Sequence, residues 1–234
     1  MASGPTTARR GVHAVGGLCN RLRVVLSYRA ALGPIEVVWV PDRSICHARF
    51  ADVFAPLQGV TFVDSAYEGS PLVQTCDPHP EPPTSWQDAY RELTLLPPHF
   101  DRMKGLGHLP RYSALHIRRT DLGPLSRQDN LYTPDEEFVA WCHSVPGPIY
   151  LATDNGTTQR HFGALIARMG KRVIVQGLIP EHPAQDEHER RNTDLATAAI
   201  DLFACARAAR FKGTAASSFT GTIDVLRRIG GWWS

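Results

Sequence analysis

Short β-branched runs alternate with stretches of helical spacing along this chain, and that alternation is what most restricts its fold. Gly11–Val15 reads as a first strand. Gly16-Gly17 breaks it, and Asn20–Leu32 carries Leu22, Val25, Leu26 and Leu32 at helical spacing until Gly33-Pro34 stops it. The β-branched run Ile35–Val40 has the look of a strand covered on both faces. Cys46–Leu57 is expected as a helix and Val60–Val63 as another short strand. A β-α-β-α-β series of this kind makes a parallel sheet flanked by helices.

From Ser65 to Pro98 the pattern weakens under Pro78, Pro80, Pro82, Pro83, Pro97 and Pro98. This region is expected to be an irregular end and a linker, with a helix inside it over Ser85–Leu95. The alternation restarts at the strand Ser113–Ile117. Thr133-Pro134-Asp135-Glu136 reads as a helix start, with Thr133 at the N-cap, Pro134 first and a glutamate able to close a capping box. Strands are then expected at Pro148–Thr153, Arg172–Gln176 and Arg210–Gly213, and helices at Thr157–Met169, Asn192–Ala209 and Ser217–Ile229. The expected organisation is two α/β halves, residues 1–110 and 111–234, which suits a protein that binds ligands in a cleft.

Composition excludes several classes. The chain has 234 residues, 43% of them apolar, so it can bury a real core. Its net charge of +2 leaves no basic block of the kind that drives nucleic-acid binding. The five cysteines are odd in number and widely spread, with no Cys-x-x-Cys pair to suggest a zinc site or a disulfide framework. The first ten residues are small and polar, and no apolar run approaches the roughly 20 residues needed to span a bilayer. A cytoplasmic protein without a membrane span is expected.

Four constellations carry chemistry. In Ala114-Leu-His-Ile-Arg-Arg-Thr-Asp121 a buried strand ends in two arginines and an aspartate. Ligands of α/β proteins bind at strand ends, and paired guanidiniums suit a doubly charged anion such as a diphosphate. A surface ion-pair cluster is the alternative for Arg118-Arg119 alone, and Asp121 can simply pair with Arg119. Next, Gly16-Gly17-Leu-Cys-Asn20-Arg21 brings backbone amides and a positive helix end to one point, with Asn20 and Arg21 on the first turn; a tight connection without a ligand is the alternative. Gly213-Thr-Ala-Ala-Ser217-Ser218-Phe219-Thr220 ends a strand and opens a helix, where Ser217 either caps the helix or presents its hydroxyl to phosphate oxygens. Last, Asp201 is a carboxylate inside an apolar helical run, so it needs a partner: an arginine, or the base edge of a purine. No Asp-x-Asp pair is present to hold a divalent metal, and His182 and His188 lack helical spacing for one.

In this order, Gly16-Gly-Leu-Cys-Asn-Arg-Leu22, His116-Ile-Arg-Arg-Thr-Asp121, Tyr150-Leu-Ala-Thr-Asp154, Ala199-Ile-Asp-Leu202 and Ser217-Ser-Phe219 resemble the α1,6- and protein O-fucosyltransferase superfamily. The resemblance implies a GT-B-like α/β fold, two Rossmann-like domains facing across a cleft, with residues 1–110 on the acceptor side and residues 111–234 binding a GDP-sugar. It implies an inverting, metal-independent enzyme without a cofactor that transfers fucose from GDP-fucose to a hydroxyl of a glycan or glycoprotein acceptor. Arg118 would hold the β-phosphate and, with Asp121, carry catalysis. His116 and Asp201 would contact guanine. Ser217, Ser218 and the Phe219 amide would bind phosphate. Gly16, Gly17, Asn20, Arg21, Arg119 and Asp154 would complete the donor site. The glutamate that core-fucosylating relatives carry after the paired arginines is missing, which leaves Asp121 or Asp129 for the acceptor proton. A transferase of another GDP-sugar, or a non-catalytic GDP-sugar- or glycan-binding module, remains the alternative.

Overall fold

The computed structural model describes residues 11–42, 45–65, 73–108, 111–119, 132–180 and 193–230. Its elements are β1 (Gly11–Ala14), α1 (Leu18–Leu32), β2 (Ile35–Val38), β3 (Val60–Val63), β4 (Val73–Thr75), α2 (Pro97–Lys104), β5 (Ser113–Ile117), α3 (Asp135–Ser144), β6 (Ile149–Thr153), α4 (Gly156–Arg168), β7 (Val173–Ile174), α5 (Leu195–Arg207), β8 (Arg210–Gly213) and α6 (Ser218–Ile229). The strands form two four-stranded sheets of order β3-β2-β1-β4 and β7-β6-β5-β8. Every pairing is parallel. The same order thus occurs twice, and in each sheet the chain reverses direction across the first strand.

Side chains of the second sheet alternate between two cores. Leu115, Ile117, Ile149 and Leu151 face one apolar cluster with Phe138, Phe162 and Ile166. Ala114, Tyr150 and Ala152 face the other, which also takes in Phe203 and Leu226 from α5 and α6 and Val12, Leu22, Val37 and Trp39 from the first half. Burial on both faces removes the polar alternation of a half-exposed strand. The buried core therefore runs without a break from the first sheet to the second.

Three expectations need correction. Cys46–Leu57 is not a helix: only Phe50–Asp52 makes a 3-10 turn. Phe50, Val53, Phe54 and Leu57 do point inward at helical spacing, but Phe54 pairs with Leu95 in an antiparallel bridge, which commits its backbone elsewhere. The stretch expected as irregular and linking is built into the fold. Val73–Thr75 adds an edge strand beside β1, Trp86–Glu92 is a 3-10 segment rather than an α-helix, and the Pro97-Pro98 pair opens α2, where a missing amide hydrogen is harmless. The strand expected within Ile35–Val40 is covered on both faces as β2, and even Glu36 within it is only 7% exposed. Finally, Thr133 does not cap α3. Pro134 holds the N-cap position and no side chain caps the helix; the Thr133 hydroxyl accepts from the Ala215 amide instead, at 2.8 Å.

Candidate functional site: a cleft at the strand ends

Because β5 lies between β6 and β8, all parallel, the loops leaving these strands converge at one end of the sheet. The strand order reverses between β5 and β8, and such a reversal opens a crevice between the outgoing loops. The first sheet reverses between β1 and β4 in the same way. A cleft joins the two positions. Its lining comes from the start of α1 (Gly17, Leu18, Cys19), from Ile45 and His47, and from His116, Arg118, Asp154, Asp201, Ser218 and Phe219 across the way.

The turn after β8 is tightly tied. Thr214 is fully buried; its hydroxyl accepts from the Arg118 amide at 2.9 Å, and its own amide donates to the His116 carbonyl at 3.0 Å. Ala216 takes φ +54°, a left-handed conformation that costs about 1–3 kcal/mol for a non-glycine residue. Ser217 follows as the N-cap of α6, yet its side chain makes no cap hydrogen bond. Its hydroxyl oxygen is buried and has no partner among the described residues. Such an atom beside the free amides of a helix N-terminus suits an incoming anion.

His116 is 5% exposed. Its ring stacks on Phe219 with centroids 4.6 Å apart, and Nδ1 is hydrogen-bonded to the Thr220 hydroxyl at 3.0 Å. Burial, aided by the Arg118 charge, lowers its pKa to about 3, so the imidazole is neutral near pH 7 and acts as a hydrogen-bonding group. Asp201 on α5 is 7% exposed. Its partner is the Tyr150 hydroxyl, which donates to Oδ1, rather than an arginine. Burial raises the Asp201 pKa to about 7; the Tyr150 bond and Arg102 oppose the shift, and Asp194 adds to it.

The paired arginines part company. Arg118 lines the cleft. Arg119 turns away: it donates to Asp135 at 2.5 Å and to the Thr133 carbonyl at 3.0 Å, and its guanidinium lies over the Tyr132 and Phe138 rings. Asp154 accepts from the Arg119 backbone amide at 3.0 Å. In the glycine turn, Gly16 has φ +83° and Gly17 precedes α1 at the cleft wall. Arg21 is 4% exposed and holds that turn from within. Its Nε donates to the Gly16 carbonyl at 2.8 Å, its Nη1 to the Val40 carbonyl at 2.7 Å, and it lies over Trp39. Neither Arg21 nor Asn20 is among the lining residues. Asp121, Asp129, His182 and His188 lie outside the described residues. Among those described, no three His, Cys, Asp or Glu side chains are grouped to hold a metal ion, and no helix is long and apolar enough to cross a membrane.

Sequence reasoning missed Thr214, Thr220 and His47 as site residues. Thr214 lies within the Gly213-Thr-Ala-Ala-Ser217 turn and Thr220 three residues beyond it, and their hydroxyls were a usable signal there; nothing around His47 in the sequence marks it.

No protein-family profile matches the chain, and no curated protein sequence is significantly similar to it. Its fold, in contrast, has counterparts among solved structures. The NodZ α-1,6-fucosyltransferase soaked with GDP-fucose superposes with a TM-score of 0.54 at 17% identity, over 93% of this chain and 92% of that one. Fucosyltransferase NodZ from Bradyrhizobium gives 0.56 at 15% identity, over 94% of each chain. POFUT1 in complex with GDP gives 0.59 at 11% identity, over 96% of each. The chain therefore has a GT-B-like fold, two Rossmann-like units facing across a cleft, as its motifs imply. It shares that architecture with the fucosyltransferases NodZ and POFUT1.

Proposed function

We propose that this protein is an inverting, metal-independent fucosyltransferase that moves fucose from GDP-fucose to a hydroxyl of a glycan or protein. The observation that carries the reading is the meeting of Arg118 with the start of α6 in one cleft, between the ends of β5 and β8. The likeness to folds solved with GDP and GDP-fucose supports it.

In this reading the diphosphate lies on the wall formed by residues 111–234. Arg118 meets the β-phosphate, and the Ser217 and Ser218 hydroxyls and the Phe219 amide meet phosphate oxygens. Neutral His116 and Asp201 read the guanine edge, and the amides at Gly16 and Gly17 close the site from residues 1–110. Breaking the glycosyl–phosphate bond builds charge on the departing oxygens. A cation fixed at that point stabilises the transition state more than the ground state, which is the requirement for catalysis. Arg118 and the helix N-terminus take this charge without a divalent ion.

A thermal-shift series tests the binding half: GDP raises the melting temperature by mass action, and UDP and ADP do not. GDP release from GDP-fucose, with a glycan or glycoprotein acceptor and with excess chelator, tests the chemical half. GDP binding without turnover on any acceptor would move the protein to the class of sugar-nucleotide-binding modules. Turnover with a different GDP-sugar would change the donor and keep the site.

A further inference from the structure

The donor wall is complete, but the reaction also needs a group that takes the acceptor proton. Among the described residues, six ionisable side chains line the cleft. His116, Arg118, Asp154 and Asp201 all belong to the wall formed by the second sheet and its helices, where the diphosphate is placed. An inverting displacement brings the nucleophile to the face of the sugar opposite the leaving group, so its base must approach from the other wall. On that wall stand only Cys19 and His47 among the described residues. Cys19 is 3% exposed and packed into the main core. His47 is solvent-exposed, on the segment that follows the Asp42–Cys46 bridge, beside Ile45, an exposed apolar side chain on the same rim.

Resting on the fucosyl-transfer reading, we infer that His47 is the general base that takes the proton of the acceptor hydroxyl. The acceptor O–H proton passes to the His47 imidazole. The oxygen forms the new bond to the anomeric carbon as the bond from that carbon to the β-phosphate oxygen breaks. The electron pair of that bond leaves with GDP, opposite Arg118. No other reactant is required. An imidazole suits the task, because its unprotonated ring nitrogen can accept the hydroxyl proton.

The test uses the full chain and compares His47→Gln, His47→Ala and Asp121→Asn. His47→Gln lowers kcat/KM for transfer by about a hundredfold or more, while the GDP-induced rise in melting temperature stays as in the wild type. The acid-side fall in the kcat/KM profile of the wild type is absent from the residual activity of His47→Gln, and added imidazole partly restores His47→Ala. Wild-type rates and an unchanged pH profile in His47→Gln would overturn the assignment of the base alone. So would loss of the acid limb in Asp121→Asn with the limb intact in His47→Gln. A wild-type chain that binds GDP yet transfers no sugar overturns the functional reading, and this base with it.

Discussion

The Thr214 hydroxyl accepts a hydrogen bond from the Arg118 amide at 2.9 Å and lies 3.3 Å from the His116 carbonyl, so one buried side chain links the end of β5 to the turn that opens α6. Thr214→Val keeps the shape and removes the acceptor, leaving a buried amide unpaired. The expected loss is about 1–3 kcal/mol in urea denaturation, with weaker GDP binding by calorimetry because Arg118 and the turn are no longer held in register. Thr214→Ser, which keeps the hydroxyl, should restore most of both.

Gly213 is defined by close approach. A Cβ there would come within 2.4 Å of the Thr220 hydroxyl oxygen and 2.9 Å of the Phe211 ring. Gly213→Ala must push Thr220 off His116, to which it is hydrogen-bonded at 3.0 Å. Overpacking of this kind costs about 1–3 kcal/mol. The expected outcome is a lower melting temperature together with weaker nucleotide binding, whereas alanine at Gly163, inside α4 with open space around it, should leave nucleotide binding unchanged and raise the melting temperature slightly.

His116 and Asp201 impose opposite pH dependences on stability. The Asp201 pKa is raised from 3.8 to about 7. Its contribution is therefore present below the unfolded value and lost as pH rises through about 7. The His116 pKa is lowered from 6.5 to about 3. Its contribution is present above 6.5 and lost as pH falls toward 3. Between pH 3.8 and 6.5 the two oppose each other. In that window Asp201→Asn should give a stability that rises more steeply with pH than in the wild type, and His116→Gln one that falls relative to it. Urea denaturation at a series of pH values reads both signs.

The two adjacent arginines should separate experimentally. Arg118→Ala should reduce the proposed fucosyl transfer at least about a hundredfold, a typical effect of losing one transition-state charge contact. Arg119→Ala should lower stability by about 1–3 kcal/mol, since Asp135 and the Thr133 carbonyl lose a charged donor. Equal loss of activity in the two variants would contradict this division of roles.

Much of the architecture was legible in the chain. The strand Ser113–Ile117 was readable to the residue, and the elements at Val60–Val63 and Arg210–Gly213 likewise, the first two because β-branched or apolar residues dominate them. The segment Cys46–Leu57 was misread for a definite reason. Helical spacing of Phe50, Val53, Phe54 and Leu57 reports only which side chains turn inward; the Phe54–Leu95 bridge, formed 41 positions along the chain, sets the backbone.

By itself, then, the sequence determined that parallel strands alternate with helices, that Arg118 lies at a strand end, that Ser217 lies at a helix start, and that Asp201 needs a buried partner. The tertiary structure decided which arginine faces the cleft, that the partner is Tyr150, that Thr133 ties down the Ala215 amide rather than capping its own helix, and that His47 lines the same cleft as Arg118. Local spacing encodes the direction in which each side chain points. What it meets there depends on groups as far apart as Tyr150 and Asp201, or Thr133 and Ala215, which only the packing of the two sheets and their helices brings within hydrogen-bonding reach.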